Sequence, residues 1–109
     1  MERYDLSVTR GETFRQVLRF ENLDLAGMTG FCQLREAPGA EELTAETDAL
    51  VNADEFTVTL GIPAETTASL RPGVYAYDFC LRAADGTVTY YLGGSFTVAP
   101  AVTVIGGEA

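Results

Sequence analysis

Hydrophobic residues recur at every second position through much of the chain, most clearly between residues 70 and 81. The apolar positions of this run, which share one face of an extended chain, are Tyr75, Tyr77, Phe79 and Leu81. The entry Leu-Arg-Pro-Gly-Val-Tyr favours a tyrosine corner, in which a phenol near the start of a late strand donates a hydrogen bond to upstream backbone. The pattern therefore predicts the core strand of a β-sandwich.

The same alternation, interrupted by turn residues, predicts six further strands. They cover residues 4–10, 13–20, 30–36, 43–46, 56–62 and 87–99. Residues 63–70 suit one helical turn that carries the chain between sheets and places Leu70 in the core, and Asp85-Gly86 favours a two-residue hairpin turn. Together these elements predict an all-β fold, an immunoglobulin-like antiparallel β-sandwich of two sheets and about seven strands, with one short helical turn near residues 63–70.

The length of 109 residues leaves room for a single domain. We predict a sandwich over residues 1–100 and a tail over residues 101–109. Gly93 and Gly94 interrupt the last strand and favour a bulge or a bend there. The tail keeps three apolar residues, which favour an added strand on a neighbouring molecule or on its own sheet edge: Val102, Val104 and Ile105.

The charge balance narrows the classes of function. Sixteen acidic residues stand against seven arginines, without lysine or histidine, so the net charge is −9 at pH 7. This surface repels phosphate backbones, which predicts no nucleic-acid partner. The lack of histidine removes the usual general base, the imidazole metal ligand and the His-dependent triads. With no leader pattern and no long apolar stretch, we expect no membrane partner and a product that stays where it is made.

Two cysteines, Cys32 and Cys80, lie in separate predicted strands. By alternation Cys32 shares a face with Leu34, whereas Cys80 falls on the face opposite Phe79 and Leu81. We therefore expect free thiols. The alternative is the inter-sheet bridge of an immunoglobulin-type domain, which the missing secretion signal makes less favourable.

Several outward positions are candidate contact residues. Arg15 and Arg19 lie on the outer face of the second predicted strand, as a partner-binding stripe or as an ordinary solvated face. Tyr90 and Tyr91 are adjacent, so one points into the core and the other to solvent. We assign the exposed place to Tyr91, which with the outward Phe31 is a candidate aromatic anchor for a partner.

Catalytic and metal-binding motifs are not found in the chain. One group of clustered oxygens could bind calcium: Asp48, Asn52, Asp54 and Glu55. Their spacing does not match an EF-hand loop, and a solvated acidic edge is the commoner outcome. Asp78, the only carboxylate inside the central strand, falls on its outer face. We predict no enzymatic activity, no cofactor and no metal.

Four segments together carry a resemblance to a known family. They are Leu-x-Val-x-Arg-Gly-Glu-Thr-Phe from residue 6, Leu-Asp-Leu-Ala-Gly-Met-Thr from residue 23, Ile-Pro-Ala-Glu-Thr-Thr-Ala-x-Leu-x-Pro-Gly-x-Tyr-x-Tyr-Asp from residue 62, and Gly-x-Val-x-x-x-Leu-x-Gly-x-x-x-Val-x-Pro-x-Val-Thr from residue 86. This pattern resembles small immunoglobulin-like β-sandwich proteins of tailed bacteriophage and prophage structural modules. It is similar to N-terminal domains of phage baseplate and tail-fibre proteins, and the likeness spans residues 6–103.

What the resemblance implies is a virion structural or accessory protein of the tail, baseplate or neck. Such a protein is made in the host cytoplasm, is located in the virion, and works by docking against other phage structural proteins or copies of itself. A head decoration protein and a carbohydrate or host-surface binding module are the alternatives. The resemblance carries no catalytic motif.

Overall fold

The computed structural model describes residues 1–105, which form eight strands and one short helix. The elements are β1 (Glu2–Arg3), β2 (Leu6–Thr9), β3 (Phe14–Arg19), β4 (Thr29–Arg35), β5 (Ala45–Asn52), β6 (Thr57–Ile62), α1 (Ala64–Ser69), β7 (Gly73–Arg82) and β8 (Val88–Ala99). The predicted all-β fold is confirmed, as is its single helical turn. Within the described part of the chain, no helix is long and apolar enough to cross a membrane.

The strands form two sheets packed as a β-sandwich, and β5 belongs to both. The first sheet contains β1, β2, β8, β7, β4 and the start of β5, and the second contains the rest of β5, β6 and β3. Residues 45–47 pair with β4, whereas residues 48–52 pair with β6. The fourth strand predicted over residues 43–46 was therefore too short, because inward positions such as Thr47 continue the alternation through the acidic stretch.

The N-terminal edge of the first sheet departs from the predicted antiparallel pattern. Both β1 and β2 pair with β8 in parallel, with Leu6 opposite Phe96. The strand predicted over residues 4–10 is shorter than expected and covers only β2, because the backbone changes course at Tyr4 and Asp5; β1 lies before the predicted start. The sandwich is therefore a mixed sheet at this edge and antiparallel elsewhere.

Two glycines in β8 make room for this change of course. The Tyr4 amide donates to the Gly93 carbonyl at 2.9 Å, and the Ser95 amide donates to the Asp5 carboxylate at 3.0 Å. A Cβ atom at Gly94 would lie 2.5 Å from Asp5 Oδ1, closer than the two atoms can approach. The glycine pair thus permits close contact between the N-terminal backbone and β8.

The turn of the β7–β8 hairpin is one residue longer than predicted. The Ala83 amide donates to the Thr87 carbonyl at 2.8 Å, so three residues close the loop instead of two. Its last residue, Gly86, has a φ of 95°, as expected when a type I turn is followed by a left-handed residue. Arg82 pairs with Val88 as a result.

A β-bulge in β8 then restores the register that a two-residue turn would have set. Cys80 lies opposite Tyr90, whereas Phe79 lies opposite Leu92, which leaves Tyr91 as the extra residue. The predicted irregularity in this strand is present, but it lies just before the glycine pair that suggested it.

The core fills the space between the sheets. The inward face of β7 is buried as its alternation predicted, and Phe79 is fully buried. The rings of Phe14 and Phe96 meet edge to face with centroids 4.9 Å apart, which joins the two sheets. Burial of each large apolar side chain contributes about 1.5–3 kcal/mol to stability.

The predicted tyrosine corner is present at the start of β7. The Tyr75 hydroxyl donates to the Arg71 carbonyl at 2.6 Å, four residues upstream. Two residues further on, the Tyr77 hydroxyl donates to the carbonyl of Tyr4, at the split between β1 and β2. The central strand thus holds both the loop that precedes it and the N-terminal edge.

Helix α1 carries the chain from the second sheet to the first, and Leu70 is buried beyond its end, as predicted. Its buried residue Thr67 was not anticipated. The Thr67 hydroxyl accepts a hydrogen bond from the Gly11 amide at 3.1 Å and lies 2.8 Å from the Glu12 carbonyl as a donor. This side chain therefore ties the helix to the turn between β2 and β3.

Candidate functional site

A row of exposed apolar side chains crosses the outer face of the first sheet. Phe31, Cys80 and Tyr90 lie opposite one another on β4, β7 and β8. Phe31 is 36% exposed and Tyr90 is 52% exposed, while Cys80 is buried between them. The next pair of the ladder adds Arg82 and the half-exposed Val88. We call these five residues the aromatic face.

The aromatic face is organised by a contact between a cation and a ring. The Arg82 guanidinium carbon lies 5.0 Å from the centroid of the Phe31 ring. This distance allows the positive charge to interact with the ring quadrupole. This contact therefore holds both side chains in place on the outer face of the first sheet.

Tyr90 occupies the exposed place that we assigned to Tyr91. The Tyr91 ring is partly buried and packs edge to face on Phe20, with centroids 5.5 Å apart. One of the two tyrosines does face solvent on the same face as Phe31, as expected. The longer hairpin turn makes Tyr90 the exposed tyrosine and Tyr91 the partly buried one. A two-residue turn would have set Tyr91 opposite Cys80, because a register shift of one residue moves each side chain of the strand to the opposite face of the sheet.

The other predicted contact residues do not join the aromatic face. Arg15 and Arg19 lie on the outer face of the second sheet, on the opposite side of the sandwich. In the tail, Val102 and Ile105 are almost fully exposed and Val104 is half exposed. Residues 101–105 form no strand, so the predicted addition to the chain's own sheet edge is not found there, and residues 106–109 lie outside the described part.

The outer face of the second sheet carries two exposed apolar residues that sequence reasoning did not single out. Val17 on β3 and Leu50 on β5 lie on either side of Thr59 in β6. Leu50 is 69% exposed and Val17 is 45% exposed. We call the outward residues of these three strands the arginine face: Arg15, Val17, Arg19, Thr57, Thr59, Gly61, Asp48, Leu50 and Asn52. Leu50 was missed because its strand was predicted to end at residue 46.

Both thiols are unsuited to nucleophilic chemistry. Cys32 and Cys80 are free, as predicted, and both are buried. Burial raises the pKa of Cys32 to about 12. Burial also raises the pKa of Cys80, and the Asp78 carboxylate adds to that rise. Because the thiolate is the reactive form, both residues behave as structural cysteines.

Carboxylates with a shifted pKa serve as backbone caps. The Ser95 amide lowers the pKa of Asp5, and the Thr87 amide lowers that of Asp85. Both groups therefore stay ionised at neutral pH and bind peptide N–H groups instead of moving protons. Asp78 is exposed on the outer face of β7, as predicted.

The acidic stretch does not assemble a metal site. Within residues 1–105, no three Cys, Asp or Glu side chains converge as ligands for an ion. The side-chain oxygen of Asn52 in this stretch, Oδ1, accepts a hydrogen bond from the Glu55 amide at 3.2 Å. This bond shapes the turn between β5 and β6. That the protein needs no cofactor remains a prediction.

Comparison with solved structures shows that this fold is shared with known proteins. The chain is similar to CopC from Methylosinus trichosporium OB3b, with a TM-score of 0.54 and 23% sequence identity over 92% of this chain and 88% of that chain. No family model matches, and no curated protein matches. At this identity the likeness establishes a shared β-sandwich fold and nothing about chemistry.

The predicted membership of a phage structural module is wrong. CopC, a structure that matches nearly the whole chain, is not a virion protein. The tail, baseplate and neck role, its decoration and carbohydrate-binding alternatives, and the virion location all depended on that resemblance, and they are withdrawn with it. The segments that carried it describe strands and turns, and many unrelated sandwiches need these features.

Proposed function

We propose that this chain is a binding domain without catalytic activity, which docks a protein partner on the aromatic face. The observation that carries the proposal is the exposed row of Phe31 and Tyr90 across three strands, with Arg82 held over Phe31. Tyrosine and arginine are the residue types that dominate binding energy in protein interfaces. A rigid sheet presents them without an ordering cost in loops.

The spacing of the two rings favours a protein segment over a small ligand. Phe31 and Tyr90 are separated by one intervening strand, so their backbones lie about 10 Å apart. At this backbone spacing, two neighbouring side chains of a partner can contact the two rings separately.

Charge favours a basic partner. The chain carries a net charge of −9, and the carboxylates of Asp78 and Asp85 lie on β7 and in the following hairpin turn. A partner with apolar anchors and surrounding lysines or arginines would complement the rings and the acidic surroundings. Nucleic acid fits poorly for the same reason.

The fold shared with CopC does not by itself bring a metal function to this chain. Metal binding needs ligands that converge, and within residues 1–105 no such group of side chains exists. The buried, protonated thiols of Cys32 and Cys80 are also poor ligands, since metals bind the thiolate. Binding through the surface is the function that the described residues support best.

Selection from a random peptide library displayed on a carrier, followed by affinity measurement, tests the proposal. We expect enriched peptides to contain an aromatic or aliphatic anchor flanked by basic residues. Their affinity should fall by about tenfold or more for Phe31→Ala and for Tyr90→Ala. Tyr4→Ala removes an exposed tyrosine elsewhere and should leave binding unchanged. Peptides that bind all three variants equally, or a library without enriched peptides, would overturn the proposal.

A further inference from the structure

We propose that the arginine face is an interface for a second copy of this chain, separate from the aromatic face on the other side of the sandwich. Three cross-strand rows make up this surface. From β3 through β6 to β5 they read Arg15, Gly61, Asp48; then Val17, Thr59, Leu50; then Arg19, Thr57, Asn52. Each row has a cation or an apolar residue at one side and a carboxylate, an apolar residue or an amide at the other.

This arrangement is complementary to itself. A twofold axis that lies in the interface and runs parallel to β6 stacks β3 of one copy over β5 of the other and keeps the rows in line. Arg15 then meets Asp48, and Val17 meets Leu50. Thr59 meets its own counterpart on the axis. Every contact occurs twice, and the exposed apolar residues of both copies become buried together.

The third row gains charge complementarity from the adjoining turn. Arg19 meets Asn52 of the other copy, and Asp54 and Glu55 lie two and three residues after Asn52 in the turn between β5 and β6. Both carboxylates are exposed and form no ion pair among residues 1–105. The turn thus offers Arg19 two carboxylates as anionic partners, which the neutral amide of Asn52 does not provide.

The pairing of the arginines supports this assignment. Five of the seven arginines have a partner within the molecule. These five are Arg3 on Asp5, Arg10 on the Leu70 carbonyl, Arg35 on the carbonyls of Ala40 and Glu41, Arg71 on Glu36, and Arg82 on Phe31. The side chains of Arg15 and Arg19 make no hydrogen bond or ion pair within the described residues, and both lie on the arginine face. A second copy supplies the side-chain partners that Arg15 and Arg19 lack within the molecule.

The size of the face sets the expected strength of the contact. Three strands of about six residues present a surface of about 15 Å by about 20 Å. This is well below the area that a standard interface covers on each partner. Two copies that each carry a net charge of −9 also repel one another. The dimer is therefore weak and forms at high protein concentration.

Sedimentation equilibrium from about 10 µM to about 1 mM covers the range in which such an interface dissociates. We expect a monomer–dimer equilibrium for the unaltered chain. Leu50→Glu should raise the dissociation constant by about tenfold or more, because it places a charge in the apolar row. Val74→Glu makes the same change at a residue that is 65% exposed on the other sheet, and should leave the equilibrium unchanged.

Exchanging the charges of Arg15 and Asp48 distinguishes an effect of this specific pair from an effect of the net charge. Arg15→Asp and Asp48→Arg should each weaken the dimer, since each sets like charges opposite one another. The double variant restores opposite charges in both symmetric pairs and keeps the net charge of −9, so the dimer should return. Circular dichroism spectra confirm that each variant is folded.

Three outcomes would overturn the dimer: a monomer at every concentration, equal effects of Leu50→Glu and Val74→Glu, or a double variant that stays monomeric. None of them bears on the aromatic face. Peptide binding and its loss in Phe31→Ala are measured at concentrations where the chain is monomeric, so the two proposals succeed or fail separately.

Discussion

At the scale of single residues, the Tyr75 hydroxyl closes the loop before the central strand through its bond to the Arg71 carbonyl. Tyr75→Phe keeps the buried ring and removes this donor. We expect the free energy of unfolding to fall by about 1–2 kcal/mol, measured by urea denaturation. Tyr4→Phe, which removes a hydroxyl from a ring that is half exposed, should change it by less than about 0.5 kcal/mol. Equal losses in the two variants would show that the corner bond contributes nothing specific.

Single residues were predictable from the sequence where their partners lie close along the chain, and not where a loop length decides their position. Tyr75 could be assigned because Leu-x-Pro-Gly-x-Tyr fixes both partners of its hydrogen bond within a few residues. Tyr90 and Tyr91 could be recognised as an inward and outward pair, yet their order depended on the length of a loop. Asp85-Gly86 is compatible with turns of two or three residues. One additional residue in the turn shifts the register and exchanges which of the two tyrosines faces solvent.

At the scale of elements, the close approach of residues Tyr4 and Asp5 to β8, where the N-terminal segment changes course, depends on Gly94. In Gly94→Ala the new Cβ atom would lie 2.5 Å from Asp5 Oδ1 and 3.2 Å from the Tyr4 carbonyl oxygen, so the segment must shift. We expect a loss of about 1–3 kcal/mol in the free energy of unfolding, with faster amide exchange in β1 and β2. Gly61→Ala adds a Cβ in ordinary contact at 3.7 Å and should be neutral or stabilising in dilute solution. Unchanged stability in both variants would contradict this account.

Elements that depend on local pattern were predictable, and those that depend on distant partners were not. The inward alternation of β7 and the proline-initiated helix α1 follow from neighbouring residues. The parallel pairing of β1 and β2 with β8 joins segments some ninety residues apart, as in the Asp5–Ser95 bond. Likewise, the passage of β5 from one sheet to the other is set by the twist of both sheets, which no local pattern encodes.

At the scale of the whole molecule, acid should weaken the fold through its capping carboxylates. The Ser95 amide lowers the pKa of Asp5 below its ordinary value of 3.8. The stabilisation is therefore complete above that value and is lost as the pH falls through the lower pKa of the folded state. We expect the difference in Tm between the unaltered chain and Asp5→Asn to be largest near neutral pH and to vanish near about pH 2. A difference that stays constant across the titration would show that Asp5 contributes no charge-dependent stability.

Function was the least predictable property at this scale. The resemblance to phage proteins was assembled from strand and turn signatures, whereas the comparison shows that CopC shares the fold. Neither candidate surface was visible as a whole in the sequence. Arg15, Arg19 and Phe31 could be singled out as outward residues, but their neighbours Leu50 and Tyr90 depend on strand ends and register. Cross-strand neighbours come from pairing, which a single sequence specifies weakly.

The parallel pairing of β2 with β8 also determines how the molecule responds to mechanical load. The four ladder positions from Leu6 opposite Phe96 to Thr9 opposite Ala99 lie side by side, with both strands running in the same direction. A pull on the backbone before Leu6, opposed by a pull after Ala99, acts along the strands and across their hydrogen bonds. These bonds must then break together in shear instead of opening one at a time. This edge therefore resists tension more strongly than a pair of strands whose hydrogen bonds open one at a time.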